Sequence, residues 1–321
     1  MRLFLLALTS AFALQCMRRP AHTQRMLYVV PETVPAGYDW RPQNHAVSDI
    51  VWTGARLDAQ GRLLNTGPAL AAMEHYSTPP RKFQTGRKKT TPPQKHLTVK
   101  HHLLVALTDA SAGAKILSDT KTRSQSIAGL VAFVLRHGQV AGLQLDFEYV
   151  SPAYADAYVE YIHLLHSKLG PGFKLSVAVF APVGMPDAWA AFHKLPELAA
   201  ESDSLVVMLY DHHRPGTPPG CVSDIGWVAA NIDALGALPV EKVWLGAPLY
   251  GYRFGQKTVA LSKSQFDSIA AQAVETDGCL KKDTPQGPAY YPTESLYKEF
   301  DALAATNRYR GIAYWRAGFE K

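Results

Sequence analysis

Asp146 and Glu148 stand two residues apart in the run Gly142-Leu143-Gln144-Leu145-Asp146-Phe147-Glu148-Tyr149. Side chains alternate faces along a strand, so Gly142, Gln144, Asp146 and Glu148 share one face and Leu143, Leu145 and Phe147 the other. One face is polar and ionisable; its complement is wholly apolar. A solvent-facing edge strand could show the same alternation. Acidic residues are depleted in strands, however, and these two close a run that helices flank. Two such carboxylates can divide labour. Mutual repulsion and burial raise the pKa of one, which stays protonated as an acid, while its partner stays charged. Glu148, outermost and longer, is the candidate proton donor.

Other chemistries lack their residues. The pairs His101-His102 and His212-His213 invite a metal, but a barrel amidohydrolase wants His-x-His on its first strand, and residues 26–30 hold no histidine. No catalytic metal and no cofactor is expected. There is no Gly-x-Ser-x-Gly elbow, and neither Cys221 nor Cys279 lies in a nucleophile motif.

Short apolar, β-branched runs alternate with longer amphipathic stretches, the pattern of βα repetition. Strands are expected at 26–30, 47–53, 102–107, 143–148, 174–181, 204–210, 243–249 and 311–315. Helical spacing is found at 124–137 (Ile127, Leu130, Val131, Val134, Leu135), 154–169, 225–235 and 295–304. Eight such units need roughly 250 residues, and the chain has 321. A doubly wound open sheet would fit the alternation too, but no glycine-rich phosphate loop follows an early strand. The expected fold is therefore a (β/α)8 TIM barrel. Residues 251–309 exceed an ordinary connection, so an insertion is expected between strands seven and eight. Barrel active sites occupy the C-terminal ends of the strands, where Asp146 and Glu148 fall.

With 47% hydrophobic and 19% charged residues, the composition is that of a globular protein. Arg2, the short apolar run from Leu3 and the small-x-small sequence Ala11-Phe12-Ala13 predict a signal peptide within residues 1–20, followed by one barrel domain over 21–321. Export follows from that reading, to the periplasm, cell envelope or exterior, and Cys16 raises the question of a lipid anchor. No later segment is long and apolar enough to span a bilayer. Cys221 and Cys279 could pair in an exported protein or remain separate. Much of the +6 formal charge falls at 81–95, among Pro79-Pro80 and Pro92-Pro93. That stretch reads as an exposed loop, either simply solvated or drawn to an anionic cell-wall polymer. Phe83 is the only aromatic residue in that stretch, so nucleic acid is not an expected partner.

The carboxylate strand resembles the Asp-Gly-x-Asp-x-Asp-x-Glu signature of glycoside hydrolase family 18, with Ala141 and Gln144 in place of its first and middle aspartates. Met208-Leu209-Tyr210-Asp211 resembles the family's Met-x-Tyr-Asp on strand six. Gly246-Ala247-Pro248-Leu249-Tyr250-Gly251 is similar to its Gly-x-Pro-x-Tyr-Gly on strand seven. Gly311-Ile312-Ala313-Tyr314-Trp315 resembles its last strand. The subgroup with spore-cortex and peptidoglycan N-acetylglucosaminidases is the most similar, since Asp-Phe-Glu is typical there. The resemblance implies cleavage of a β-linked N-acetylglucosamine polysaccharide, peptidoglycan or chitin-like, by substrate-assisted retention. In that scheme Glu148 is the acid and base, Asp146 orients the acetamido group and Tyr210 hydrogen-bonds its oxygen. Trp315, Gln144, Met208, Asp211 and Tyr250 would line the sugar site. Tyr210 and Trp315 could instead be ordinary core aromatics, and Tyr38 and Trp40 could be sugar platforms or surface packing. The rival reading is a non-catalytic, lectin-like protein on the same fold.

Overall fold

A computed structural model of the chain describes residues 23–34, 38, 41–77 and 99–321. The expected leader with Cys16, Trp40 and the basic stretch at 81–95 lie outside them.

Eight strands close a parallel barrel. They are β1 (Gln24–Val29), β2 (Asp49–Leu57), β3 (Lys100–Leu107), β4 (Gly142–Phe147), β5 (Lys174–Phe180), β6 (Ser204–Met208), β7 (Val243–Pro248) and β8 (Gly311–Trp315). Each pairs with its sequence neighbours, and β1 pairs with both β2 and β8, so the ring is complete. All eight expected strands are present. The largest difference is at β2, which passes the expected end at 53 through an irregularity between Trp52 and Ala55 and then pairs with a short strand, Leu63–Leu64.

Helices α1 (Gly67–Ser77), α2 (Ala110–Ser118), α3 (Thr120–Arg136), α4 (Ala155–Leu169), α5 (Asp187–Ala190), α6 (Leu195–Glu201), α7 (Ile225–Ala234), α8 (Lys263–Asp267) and α9 (Glu294–Thr306) accompany them. Side-chain caps fix several starts. Asp109 accepts from the backbone N–H of Ser111 and Ala112, Asp119 from Thr122, Asp224 from Trp227 and Thr293 from Leu296. At its other end α4 stops at Gly170, whose φ of 72° suits a residue without a Cβ.

Two apolar layers follow from strand alternation. Met26, Tyr28, Val51, Leu104, Val206, Trp244 and Ala313 fill the barrel interior. Leu143, Leu145 and Phe147 face outward into the larger core shared with the helices, where Phe147 stacks on Tyr158 of α4. The inner face of β4 is thereby left to Gly142, Gln144 and Asp146.

The insertion after β7 is a five-stranded antiparallel sheet built from Gly251–Arg253, Val259–Leu261, Val274–Thr276, Cys279–Lys282 and Ala289–Pro292. Cys279 in this sheet forms a disulfide with Cys221 in the loop after β6. The cysteines do pair, across 58 residues of chain.

Candidate active site

Depth along β4 sorts its inward side chains. Gln144 is fully buried: its Oε1 accepts from the Tyr28 hydroxyl and its Nε2 donates to Ser176 Oγ at 3.0 Å. Both ends of the amide are committed, so Gln144 supports the layer below the cleft. That placement corrects the expectation that it lines the sugar site. Met208 is likewise buried in the apolar core.

Asp146 comes next, and it shares a hydrogen bond with Glu148. Burial, and after it the neighbouring Glu148 charge, raises the Asp146 carboxyl well above the usual range. Its Oδ1 is buried with no hydrogen-bond partner among the described residues. Glu148 is raised too, mainly by burial, while hydrogen bonds with Tyr149 and Asp146 work against the rise. Two adjacent buried carboxyls of this kind hold one proton between them, because ionising both would place two charges in a poorly solvated site.

Tyr210 and Asp211 approach from the end of β6. The Tyr210 hydroxyl has no hydrogen-bond partner among the described residues, and the field of Asp146 and Glu148 adds to the burial that keeps it protonated. Its ring lies 6.5 Å from Trp315 at an interplanar angle of 20°. Gly246 on β7 makes room for it, since a Cβ there would come within 2.7 Å of Val207 O and 3.1 Å of the Tyr210 ring. Trp315, half-buried at the end of β8, also contacts Tyr28 with ring centroids 5.2 Å apart. Asp211 has a left-handed backbone (φ 61°), and its Oδ1 accepts from the hydroxyls of Tyr250 and Tyr252, the latter at 2.9 Å. Burial raises its carboxyl, whereas the two tyrosines and Arg214 favour its charged form.

Asp146, Glu148, Tyr210, Asp211 and Trp315 therefore meet around one cleft at the C-terminal ends of the strands. Tyr250 joins them indirectly, its hydroxyl spent on Asp211.

A family model described as Glycosyl hydrolases family 18 matches residues 98–320. The chain belongs to that family. Among curated relatives, the cortical fragment-lytic enzyme of Bacillus subtilis is 27% identical over 235 residues, covering 64% of this chain and 53% of that protein. The chain spans about a third to about half the length of the curated relatives it matches. Solved structures agree on the fold. The spore cortex-lytic enzyme SleL of Bacillus cereus aligns with a TM-score of 0.73 at 17% identity, covering 92% of this chain and 71% of that one. A chitinase from Chromobacterium violaceum aligns with a TM-score of 0.73 at 20% identity, covering 93% and 95%.

Several site residues of this family 18 chain carried no signal in the sequence reading. Tyr28 and Ser176 hold Gln144, and Tyr252 helps hold Asp211. Tyr28 was within reach, because it alternates with Met26 on an interior face. Tyr149 hydrogen-bonds Glu148 from a left-handed backbone (φ 62°) and stands 42% exposed at the cleft. Beside it Trp189 packs edge-on at 4.7 Å.

His193 is the least expected of them. The β4–β5 ladder ends at the pair Leu145–Val177, leaving the last residues of both strands unpaired with each other. The His193 imidazole occupies that gap. Its Nδ1 accepts from the Phe180 N–H at 3.3 Å, and its Nε2 donates to the Phe147 carbonyl at 3.1 Å, one bond before Glu148. A backbone N–H can only donate, so the ring must be the neutral Nε2–H tautomer. Burial agrees, pushing its pKa down to about 4.

The two histidine pairs are engaged elsewhere. His102 pairs with Asp49 at 2.8 Å, and His101 accepts from the Trp52 indole at 3.0 Å, both at the opposite end of the barrel. His212, His213 and Asp224 form a group whose potential ligand atoms lie within 4.8 Å of one another in the loop after Asp211. His212 bonds Asp224 while stacking on Trp227, and His213 donates from Nδ1 to the Pro218 carbonyl at 2.8 Å. Tyr38 is buried, with its hydroxyl on Glu320 and Lys321 over its ring, so it is packed away rather than set out as a sugar platform.

Proposed function

We propose that the chain is a retaining glycosidase acting on β-linked N-acetylglucosamine polysaccharide, with the substrate's own acetamido group as nucleophile. The observation that carries this reading is the buried Asp146 carboxyl, hydrogen-bonded to Glu148 and with Oδ1 unpartnered, whose charge acts on Tyr210.

An acetamido N–H supplies the donor that Asp146 Oδ1 lacks. Accepting it favours the ionised form of Asp146 and leaves the shared proton on Glu148. Glu148 then protonates the glycosidic oxygen as the bond to C1 breaks, and the acetamido carbonyl oxygen closes on C1 to give an oxazolinium ion. Ionised Asp146 stabilises that cation through the N–H. Tyr210 donates to the acetamido oxygen and aims it, and Trp315 offers an apolar face to the sugar ring. Water next attacks C1, giving up its proton to Glu148, and the ring opens with the anomeric configuration retained. This is the substrate-assisted exception to the two-carboxylate scheme.

Homology to a cortical fragment-lytic enzyme supports peptidoglycan as the polymer, and chitin oligomers present the same acetamido group. The Cys221–Cys279 disulfide supports an oxidising compartment, in keeping with export. Among the described residues no helix is long and apolar enough to cross a membrane.

The test compares wild type with Glu148→Gln on purified peptidoglycan and on chitin oligosaccharides, reading reducing ends. Gln keeps the size and polarity but has no proton to transfer, so release should fall by roughly 10²- to 10⁴-fold. If neither protein cleaves and both bind glycan equally, the protein is lectin-like instead.

A further inference from the structure

Three carboxylates, Asp146, Glu148 and Asp211, make the cleft acidic. Among the described residues Arg214 is a positive charge acting on this group, favouring the ionised form of Asp211. Its guanidinium is fixed in place on one side. Nη1 donates to the carbonyls of Asp211 at 2.9 Å and His212 at 3.4 Å and lies 3.8 Å from Met185 sulfur. The plane of the group sits over the Trp189 ring at 4.9 Å. The segment that carries it is braced as well, since the Arg214 N–H donates to Thr217 Oγ1 and Thr217 Oγ1 donates back to the Arg214 carbonyl.

The other side of the guanidinium is uncommitted. Among the described residues neither Nε nor Nη2 has a partner, and neither is buried. Trp189 connects Arg214 to Tyr149, Tyr149 bonds Glu148, and Arg214 acts on Asp211, so the guanidinium stands beside the same group of carboxylates. An ion pair with Asp211 needs only charge nearby. Anchoring one nitrogen on two carbonyls while leaving a planar N–H edge open beside an aromatic shelf gives a receptor for a second, external carboxylate.

We propose that Arg214, with Trp189 and Tyr149 as its apolar shelf, binds a carboxylate on a sugar neighbouring the reacting N-acetylglucosamine. The assignment rests on the glycosidase reading, and it narrows the substrate to an acidic glycan. A neutral chitin chain has no group for this edge. The lactyl carboxylate of muramic acid has the required chemistry, and so has the carboxylate of a uronic acid in an alternating amino-sugar polymer.

Binding separates this proposal from the catalytic one. In a Glu148→Gln background, calorimetry would measure four ligands of equal length: peptide-free N-acetylglucosamine–muramic acid oligomers, their methyl esters, N-acetylglucosamine–glucuronate oligomers and chitin oligomers. One acidic oligomer should bind about tenfold to a hundredfold more tightly than neutral chitin, the range of a hydrogen bond to a charged group. With the muramic oligomer, methylation should erase the preference. Adding Arg214→Gln should remove that preference, and Arg214→Lys should keep part of it, as a charge without the planar fork. Which acidic oligomer is preferred names the source of the carboxylate. Equal affinity for the acidic and neutral oligomers overturns the proposal, as does an Arg214→Gln loss equal for every ligand, which would mark a loop brace. Wild-type protein that cleaves none of these glycans would sink the glycosidase reading while the binding comparison still decides the role of Arg214.

Discussion

Replacing His193 tests how the end of β4 is held. In His193→Leu the Phe180 N–H and the Phe147 carbonyl lose their partner inside the protein, and a buried backbone group without a hydrogen bond costs about 1–3 kcal/mol. Two such groups imply a loss of roughly 2–6 kcal/mol. His193→Gln presents an amide oxygen and an N–H with similar spacing, so most of that loss should be recovered. The imidazole also adds a pH signature. Its pKa falls from 6.5 to about 4 on burial, so the native state favours the neutral ring. The associated stability is fully present above pH 6.5 and is lost as pH falls towards 4, because the unfolded chain binds the proton first. For a fully buried group that depression corresponds to about 3 kcal/mol. Urea unfolding between pH 4 and 7 reads both effects: wild type should steepen in this window and His193→Gln should lack that component. The carbonyl concerned precedes Glu148, so kcat of His193→Leu should fall more than KM rises, with Gln restoring it. A His193→Leu protein with wild-type stability, wild-type kcat and the same pH slope would refute the reasoning.

Two more outcomes follow from the site's surroundings. Closing a loop of 58 residues lowers the entropy of the unfolded chain, so Cys221→Ser with Cys279→Ser should cost up to about 4 kcal/mol in urea unfolding. Unchanged stability would mean that the inserted sheet docks without the bond. Tyr252→Phe removes a hydroxyl that favours ionised Asp211, so the Asp211 carboxyl should titrate higher in the variant, as read by carbon NMR. A titration that stays put or moves lower would contradict that assignment.

Much of this architecture was legible in the residues. The period-two pattern of β4 set Leu143, Leu145 and Phe147 against the helices and turned Gln144 and Asp146 inward, as observed. Runs such as Leu205-Val206-Val207-Met208 marked strands buried on both faces. Alternation is a local property, enforced by backbone geometry at each residue, so a short stretch of sequence suffices to read it.

Depth and partnership are not local. Gln144 and Asp146 share a face, yet one lies in a sealed layer and the other opens on the cleft, because closure of the barrel decides which level each residue reaches. Tyr28 meets Gln144 across 116 residues, His193 meets Phe147 across 46 and Tyr252 meets Asp211 across 41. Such pairs form only when strands distant in the chain are brought side by side, and nothing in the spacing of a lone tyrosine or histidine announces them. The sequence by itself determined which strand carries the paired carboxylates and which of its faces is ionisable. The tertiary structure decided which buried atoms find partners, and so left Asp146 Oδ1 buried without one and one edge of Arg214 uncommitted.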